Sequence, residues 1–345
     1  MDSINTEPVK EVLKYYPFEV KSIKNDSYKG KKGVWWVETS SGTKILKKIS
    51  NSEATLKFII SAVNYLISRN INIPSIVKEK DGKEYVNYNG ICFVVSEAIE
   101  GKVPNYDNSR ELEAIVKGLA NFHRGSEGFK AIEETKPKNH LGTWLSEYDY
   151  QLEDMYKFYK QETEKNHNDE IGTIVKNNFL YFYERGKKAI EGLKKGEYDA
   201  WVQKVQAVGG LCHQDFAAGN LLMTSSKFYI LDTDSLTLEI PARDIRKLLN
   251  KMMKKKGKWD LNTVTKILSY YQSVNPLSRD EWQVVKYDLM FPHLFLGSMN
   301  KFYYQRDKEW SAETYAKKMK EICSFEKTAD TLINNFNTIV EKIIN

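Results

Sequence analysis

Cysteine is scarce in this chain, and its three residues, Cys92, Cys212 and Cys323, stand far apart. An odd, sparse set without metal-ligand spacing excludes a disulfide framework and points to a reducing compartment. Long apolar runs are missing as well; none approaches the roughly 20 residues that a membrane-spanning helix needs. The opening MDSINTEPVK lacks both the basic n-region and the apolar h-region of a secretory signal. These absences predict a soluble, cytoplasmic protein. Charge of one sign is not concentrated anywhere. The net +6 is spread over 345 residues, which suits an anionic small ligand and is too diffuse to mark a nucleic-acid surface. Internal repeats, low-complexity tracts and a G-x-G-x-x-G phosphate loop are absent too.

What the chain does have is a globular composition, 41% hydrophobic with 28% charged residues, at a length that favours two lobes. Residues 7–16 read as a short docking helix ahead of Pro17. Residues 20–49 read as antiparallel β structure, with a hairpin turning at Ser40-Ser41-Gly42-Thr43. The basic stretch Lys29-Gly30-Lys31-Lys32-Gly33 lies just before it, as an ordinary turn or a phosphate-covering loop. Lys47 sits on the hairpin's second strand. Lys48 would face the opposite side, and Lys44 is nearer the turn. Residues 52–69 have the helical period in Leu56, Ile59, Ile60, Val63, Leu66 and Ile67, with Ser52 as N-cap. Glu53 is the only acid of that helix and belongs to its first turn, where it reads first as a helix-start residue favoured by the dipole and second as a partner of Lys47.

Residues 74–77 start a second β region, and the continuous apolar run 90–96 predicts a buried strand. It leads into Glu97-Ala98-Ile99-Glu100-Gly101, a short connector whose backbone at Glu97–Ile99 is placed to meet an adenine edge. The predicted organisation is α+β and bilobal, with a β-rich lobe over 1–98 and a mainly helical lobe over 99–345. Helical periods follow at 109–123, 148–165, 170–195, 261–271, 279–295 and 312–344. His123 reads as a helix C-terminal residue rather than a catalyst. Lys251–Lys258 reads as a solvated helix end. Trp282, Tyr287, Phe291, Tyr303 and Tyr304 are candidate walls of an acceptor pocket, with core packing the commoner use of such residues.

The stretch 211–236, LCHQDFAAGNLLMTSSKFYILDTDSL, carries the chemistry. His213, Asp215 and Asn220 fall in one short segment, and two apolar runs around Ser225-Ser226-Lys227 predict a β-hairpin. Paired strands lie about 4.8 Å apart, so the hairpin returns Asp232 to the neighbourhood of Gly219 and Asn220. Two carboxylates and an amide converging in this way suit a magnesium ion shared with substrate phosphates. Asp-x4-Asn is also the spacing of a kinase catalytic loop. A buried His with turn-forming Asp and Asn is the alternative. A metal-dependent hydrolase built on Asp215, Asp232 and Asp234 is a weaker one, because further His ligands are lacking.

Taken together, Lys44-Ile45-Leu46-Lys47-Lys48, Glu97–Gly101, Gly118-Leu119-Ala120-Asn121-Phe122-His123, His213–Asn220, Ile230–Asp234 and Pro241-Ala242-Arg243-Asp244-Ile245-Arg246-Lys247-Leu248 resemble the aminoglycoside phosphotransferase and choline kinase-like superfamily. The Leu-Cys-His-Gln-Asp and Pro-x-Arg-Asp forms are similar to its CotS-type spore-coat branch, especially the CotI-like members. The resemblance implies a protein-kinase-like fold with ATP and Mg2+ as cofactors and a small-molecule or saccharide hydroxyl as acceptor. It implies that Lys47 holds the α- and β-phosphates and that Asp215 orients or deprotonates the acceptor. Asn220 and Asp232 would bind magnesium, with Asp234 an auxiliary acid at the metal edge. His213 and Asp244 would brace the catalytic loop. Association with other spore-coat proteins, and residence in the mother cell and then in the coat, follow from the same resemblance. So does an alternative, a coat component that keeps the fold without the activity.

Overall fold

The computed structural model describes residues 7–26, 33–165, 169–306 and 310–345. The basic stretch 29–32 lies outside them. The chain forms two compact units: one comprises Met1–Gly118, Phe129–Lys138 and Asp215–Leu236, the other Leu119–Gly128, Asn139–Gln214 and Thr237–Asn345. The architecture is α+β, an antiparallel five-stranded sheet in the first part of the chain and a larger helical remainder.

In the first unit, α1 (Val9–Leu13) is followed by β1 (Val20–Asn25), β2 (Val34–Thr39) and β3 (Gly42–Ile49). Then come α2 (Glu53–Ser68), β4 (Val86–Tyr88) and β5 (Ile91–Glu97). The strands order as β1-β2-β3-β5-β4, every pair antiparallel. The predicted hairpin forms in a tighter version: Ser40 and Ser41 make the turn, and Gly42 opens β3 at φ +98°. Side chains alternate across a strand, so β3 sorts its residues by parity. Leu46 joins Val12, Tyr16, Trp35, Val37, Phe93 and Val95 in one core. Ile49 packs with Leu56 and Ile60 of α2 on the opposite face. Lys47 shares that second face. Of residues 74–77, only Ile76 makes a β-bridge, to Ser96, so this stretch adds no full strand.

α2 begins as expected. Ser52 is extended (φ −60°, ψ 155°), and its Oγ accepts the N–H of Thr55 at 3.3 Å, an N-cap contribution of about 1 kcal/mol. Late in the chain, β7 (Leu221–Met223) and β8 (Phe228–Ile230) form the predicted hairpin, with Leu221 opposite Ile230 and Met223 opposite Phe228. Two anchors hold it within the unit. Met223 exchanges main-chain hydrogen bonds with Lys102 at 2.8 and 2.9 Å, and the N–H of Ile230 donates to Asn72 O at 2.9 Å.

α3 (Ser109–Ser126) runs from the first unit into the second. The second unit holds α4 (Trp144–Glu164), α5 (Glu170–Leu193) and α6 (Glu197–Val208). The short strands β6 (Leu211–Cys212) and β9 (Thr237–Leu238) pair with each other in it. It continues with α7 (Ala242–Lys256), α8 (Leu261–Gln272), α9 (Arg279–Met290), α10 (His293–Tyr303), α11 (Ala312–Lys327) and α12 (Ala329–Ile344). The predicted helix over 279–295 is in fact two, broken around Phe291-Pro292, where a proline has no N–H to continue the ladder. The one over 312–344 is also two, parted at Thr328. Trp282 and Phe291 are fully buried, so core packing is their use. No helix among the described residues is long and apolar enough to cross a membrane.

Candidate active site

Asp215 opens the site. It is exposed, and it follows Gln214, a non-glycine residue held at φ +69°. After it the chain turns through a short 3-10 helix, Ala218–Asn220, so that Asn220 folds back. The Asn220 amide donates to Asp215 O at 2.9 Å and to its carboxylate Oδ2 at 3.0 Å. Tyr106 secures the turn by accepting the N–H of Ala218 with its hydroxyl at 2.8 Å. The β7–β8 hairpin then brings the chain home, and Leu231 N–H donates to Asn220 O at 2.8 Å.

That return delivers Asp232, which also adopts a left-handed backbone at φ +52°. Such a conformation in a non-glycine residue is uncommon and is often kept at functional sites. Asp232 Oδ1 lies 2.6 Å from Lys47 Nζ, and Asp234 Oδ2 lies 2.6 Å from the same nitrogen. Burial alone would push the Lys47 amine down; Asp234 and then Asp232 outweigh it and hold the amine above its ordinary range. Asp234 is itself clamped through its main-chain oxygen, which accepts from Lys138 Nζ at 2.7 Å and from Asn51 Nδ2 at 3.5 Å. Lys47, Asn220, Asp232 and Asp234 all line one cavity of about 440 Å³. Its apolar walls include Ile45 and Val94 of the sheet and Leu56, Ile59 and Val63 of α2. Ligand pockets commonly run from roughly 300 to 1,000 Å³ with apolar walls and few polar groups.

The remaining candidates lie elsewhere. Glu97 pairs with Lys44 at 2.7 Å, its N–H donates to Ser75 O, and Ala98 N–H donates to Thr43 O. Ser96 lines the cavity, whereas Glu97 and Ile99 do not. Lys48 reaches Glu7 on the opposite face of β3, at 2.6 Å. Glu53 accepts from Tyr85 Oη at 2.6 Å and Asn87 Nδ2 at 2.7 Å, and so takes its place away from Lys47.

His213 belongs to the second unit and is fully buried there, its ring edge-on to Phe122 at 5.9 Å. Its N–H donates to Asp244 Oδ2 at 2.6 Å. His123 is buried too: Nδ1 meets Tyr271 Oη at 2.8 Å and Nε2 meets Asp244 Oδ2 at 3.3 Å. The donor atoms of His123, Cys212 and Asp244 lie within 4.8 Å of one another. Each is already engaged, however, Cys212 Sγ with Ile240 O at 3.1 Å, so the trio is a satisfied polar core. Sequence reasoning missed Tyr106, Asn51 and Lys138. Their roles exist only through contacts with segments far along the chain, and no local pattern marks them.

Comparison with known proteins gives a family and a fold. The model of a family described as "Spore coat putative kinase YutH" matches residues 19–336. Spore coat protein S of Bacillus subtilis is 28% identical over 337 residues, covering 97% of this chain and 95% of its own. Among solved structures, an aminoglycoside phosphotransferase from Alicyclobacillus acidocaldarius aligns with a TM-score of 0.82 at 14% identity, over 97% of this chain and 96% of that one. Amicoumacin kinase, solved with AMP-PNP, Ca2+ and Ami, aligns with a TM-score of 0.60 at 16% identity over 93% of each chain. At these identities the structural likeness establishes the kinase-like fold.

Proposed function

Because the chain belongs to the spore coat YutH kinase family, we propose that it is an ATP- and Mg2+-dependent phosphotransferase of the spore coat. Its acceptor would be a hydroxyl group of a small molecule or saccharide. The observation that carries this reading is the pairing of Lys47 with Asp232 and Asp234 at 2.6 Å each, in the lining of a cavity that Asn220 also lines. The residues fit the cofactor. Magnesium favours hard oxygen donors in company with phosphate oxygens, and Asp232 with the Asn220 carbonyl supplies them, Asp234 standing beside. Mg·ATP, when bound, supplies the phosphoryl group and much of the charge neutralisation.

The protein's part is placement. Lys47 offsets charge on the α- and β-phosphates from a strand fixed on both sides by β2 and β5. Asp215 receives the acceptor's hydroxyl proton, and the Asn220 amide orients its carboxylate. His213 and Asp244 brace the entry to the loop through the His213 N–H. The connector Glu97–Ile99, with the N–H groups of Glu97 and Ala98 already engaged, would meet the adenine edge from beside the cavity that Ser96 lines. On this reading nucleotide binding falls to a lobe over 1–98 and catalysis and substrate binding to one over 99–345, a functional division that differs from the two compact units. The test is a titration with Mg·ATP, followed by an ATP turnover assay over a panel of sugars and amino alcohols. Saturable binding is expected, and a chain that binds no nucleotide at millimolar ATP refutes the proposal.

One observation favours a second reading, a coat component without activity. α2 presents no carboxylate to Lys47, since Glu53 is held by Tyr85 and Asn87. A strain carrying Asp215→Ala separates the two. Normal coat assembly in that strain, with defective assembly on deletion, supports the architectural role.

A further inference from the structure

Kinase-type sites steady their strand lysine with a glutamate from the adjacent helix, and movement of that helix can switch the site. Here α2 carries Glu53 alone, in its first turn and committed to Tyr85 and Asn87. The α2 residues at the cavity are Leu56, Ile59, Ile60 and Val63, none of which can hold an ammonium. Lys47 nevertheless has two carboxylates at 2.6 Å. They are not equivalent. Asp232 follows the hairpin directly, beside Asn220, on a strained left-handed backbone. Asp234 lies two residues on, in the 3-10 turn Thr233–Ser235, and Lys138 and Asn51 hold its main-chain oxygen from two other segments. A carboxylate that binds a divalent cation gives up much of its attraction for a nearby ammonium. Lys47 therefore needs a second acid if Asp232 turns to the metal.

We propose that Asp234 is the positioning residue of Lys47, standing in for the absent helix glutamate, and is not a metal ligand. The inference rests on the phosphotransferase reading. One short turn then organises both the metal ligand and the lysine partner. A shift of α2 then neither supplies nor withdraws the carboxylate that Lys47 uses.

The experiment uses the full chain and separates nucleotide affinity from metal affinity. Mg·ATP binding is measured at saturating Mg2+, and the half-saturating Mg2+ concentration is measured at fixed ATP. Asp234→Asn is expected to weaken Mg·ATP binding about tenfold, as loss of a charge-assisted hydrogen bond does, with half-saturating Mg2+ unchanged. Adding Lys47→Met to Asp234→Asn weakens binding no further than Lys47→Met alone, because the two residues act as one unit. Asp234→Glu restores most of the affinity. Asp232→Asn instead raises the half-saturating Mg2+. If Asp234→Asn raises half-saturating Mg2+ and excess Mg2+ restores binding, Asp234 is a metal ligand and the inference falls. Additive losses with Lys47→Met make the residue merely structural and also overturn it. An unaltered chain that binds no ATP at all refutes the phosphotransferase reading itself, and this role with it.

Discussion

Asp244 accepts the main-chain N–H of His213 at 2.6 Å and that of Gln214 at 2.9 Å, one carboxylate oxygen to each. Only about 1% of the residue is exposed. Burial opposes its ionisation, yet the hydrogen bond and charge of His123, together with His213, hold its carboxyl below the ordinary range. Two main-chain donors, one of them fully buried, thus depend on a single side chain, and an unmade buried hydrogen bond costs about 1–3 kcal/mol. Asp244→Ala is expected to lower the unfolding free energy by about 3–5 kcal/mol, measured by urea denaturation. Asp244→Asn should lose less, since its amide oxygen still accepts one N–H. A loss for Asp244→Ala within about 0.5 kcal/mol, the ordinary surface range, would mean that this brace is not a structural one.

A second buried carboxylate governs pH dependence. Asp288 accepts from Arg246 Nε at 2.9 Å to each oxygen, from Tyr148 Oη and from His293 Nε2 at 2.8 Å. Burial, followed by the Arg246 charge, pushes His293 down to about 4. The unfolded chain therefore takes up a proton near pH 6.5 that the folded chain refuses until about pH 4. With more protons on the unfolded state across that window, stability falls as the pH drops through it. Asp288, also held below its usual range despite its burial, adds a loss in the same direction at lower pH. Urea midpoints should fall steadily from pH 6.5 to pH 4.5, and His293→Gln should flatten that slope. An unchanged slope in the variant would assign the effect to other groups.

Gly118 of α3 makes a third prediction, one that connects packing to the site. A Cβ at this position would meet the Phe228 ring of β8 below any permitted contact distance. Phe228 belongs to the hairpin whose far end carries Asp232. Gly118→Ala must push that ring aside, at a cost of about 1–3 kcal/mol for overpacking. We expect a lower unfolding midpoint together with weaker Mg·ATP binding. A stable variant with unaltered nucleotide affinity would show that the hairpin can yield without moving its acids.

Much of this was legible in residues 211–236 because a hairpin is a local object. Its apolar runs, its Ser225-Ser226 turn and the return of the chain to Asn220 all follow from neighbouring residues. The N-cap at Ser52 was legible for the same reason. α6 was not, since it has only a few buried positions (Tyr198, Trp201, Val202, Val205) and follows a glycine and a charged run. The partner of Lys47 was also hidden. Helix periodicity identifies α2 but does not say whether Glu53 reaches the lysine or turns to Tyr85, which depends on how β4 lies against the helix start. Lys138 and Asn51 show the same limit: both meet the main chain of Asp234 from segments more than ninety positions away.

The three lysines of β3 provide the sharpest test of that register. Lys44, Lys47 and Lys48 lie within five residues, yet their partners differ entirely: Glu97, the Asp232–Asp234 pair, and Glu7. Parity explains part of this, because Lys47 shares the α2 side with Ile45 and Ile49 while Lys44 and Lys48 take the other. Lys44→Met leaves Glu97 free to rehydrate, since that side chain is already 40% exposed, and Lys48→Met breaks a partly exposed pair that contributes about 0–1 kcal/mol. Lys47→Met removes the ammonium that Asp232 and Asp234 share at 2.6 Å each. We expect Mg·ATP affinity to fall about tenfold or more for Lys47→Met, and to stay within about twofold of the unaltered chain for the other two. Isothermal titration of the three variants, side by side, decides it; equal losses would mean that general positive charge, rather than the placement of Lys47, attracts the nucleotide.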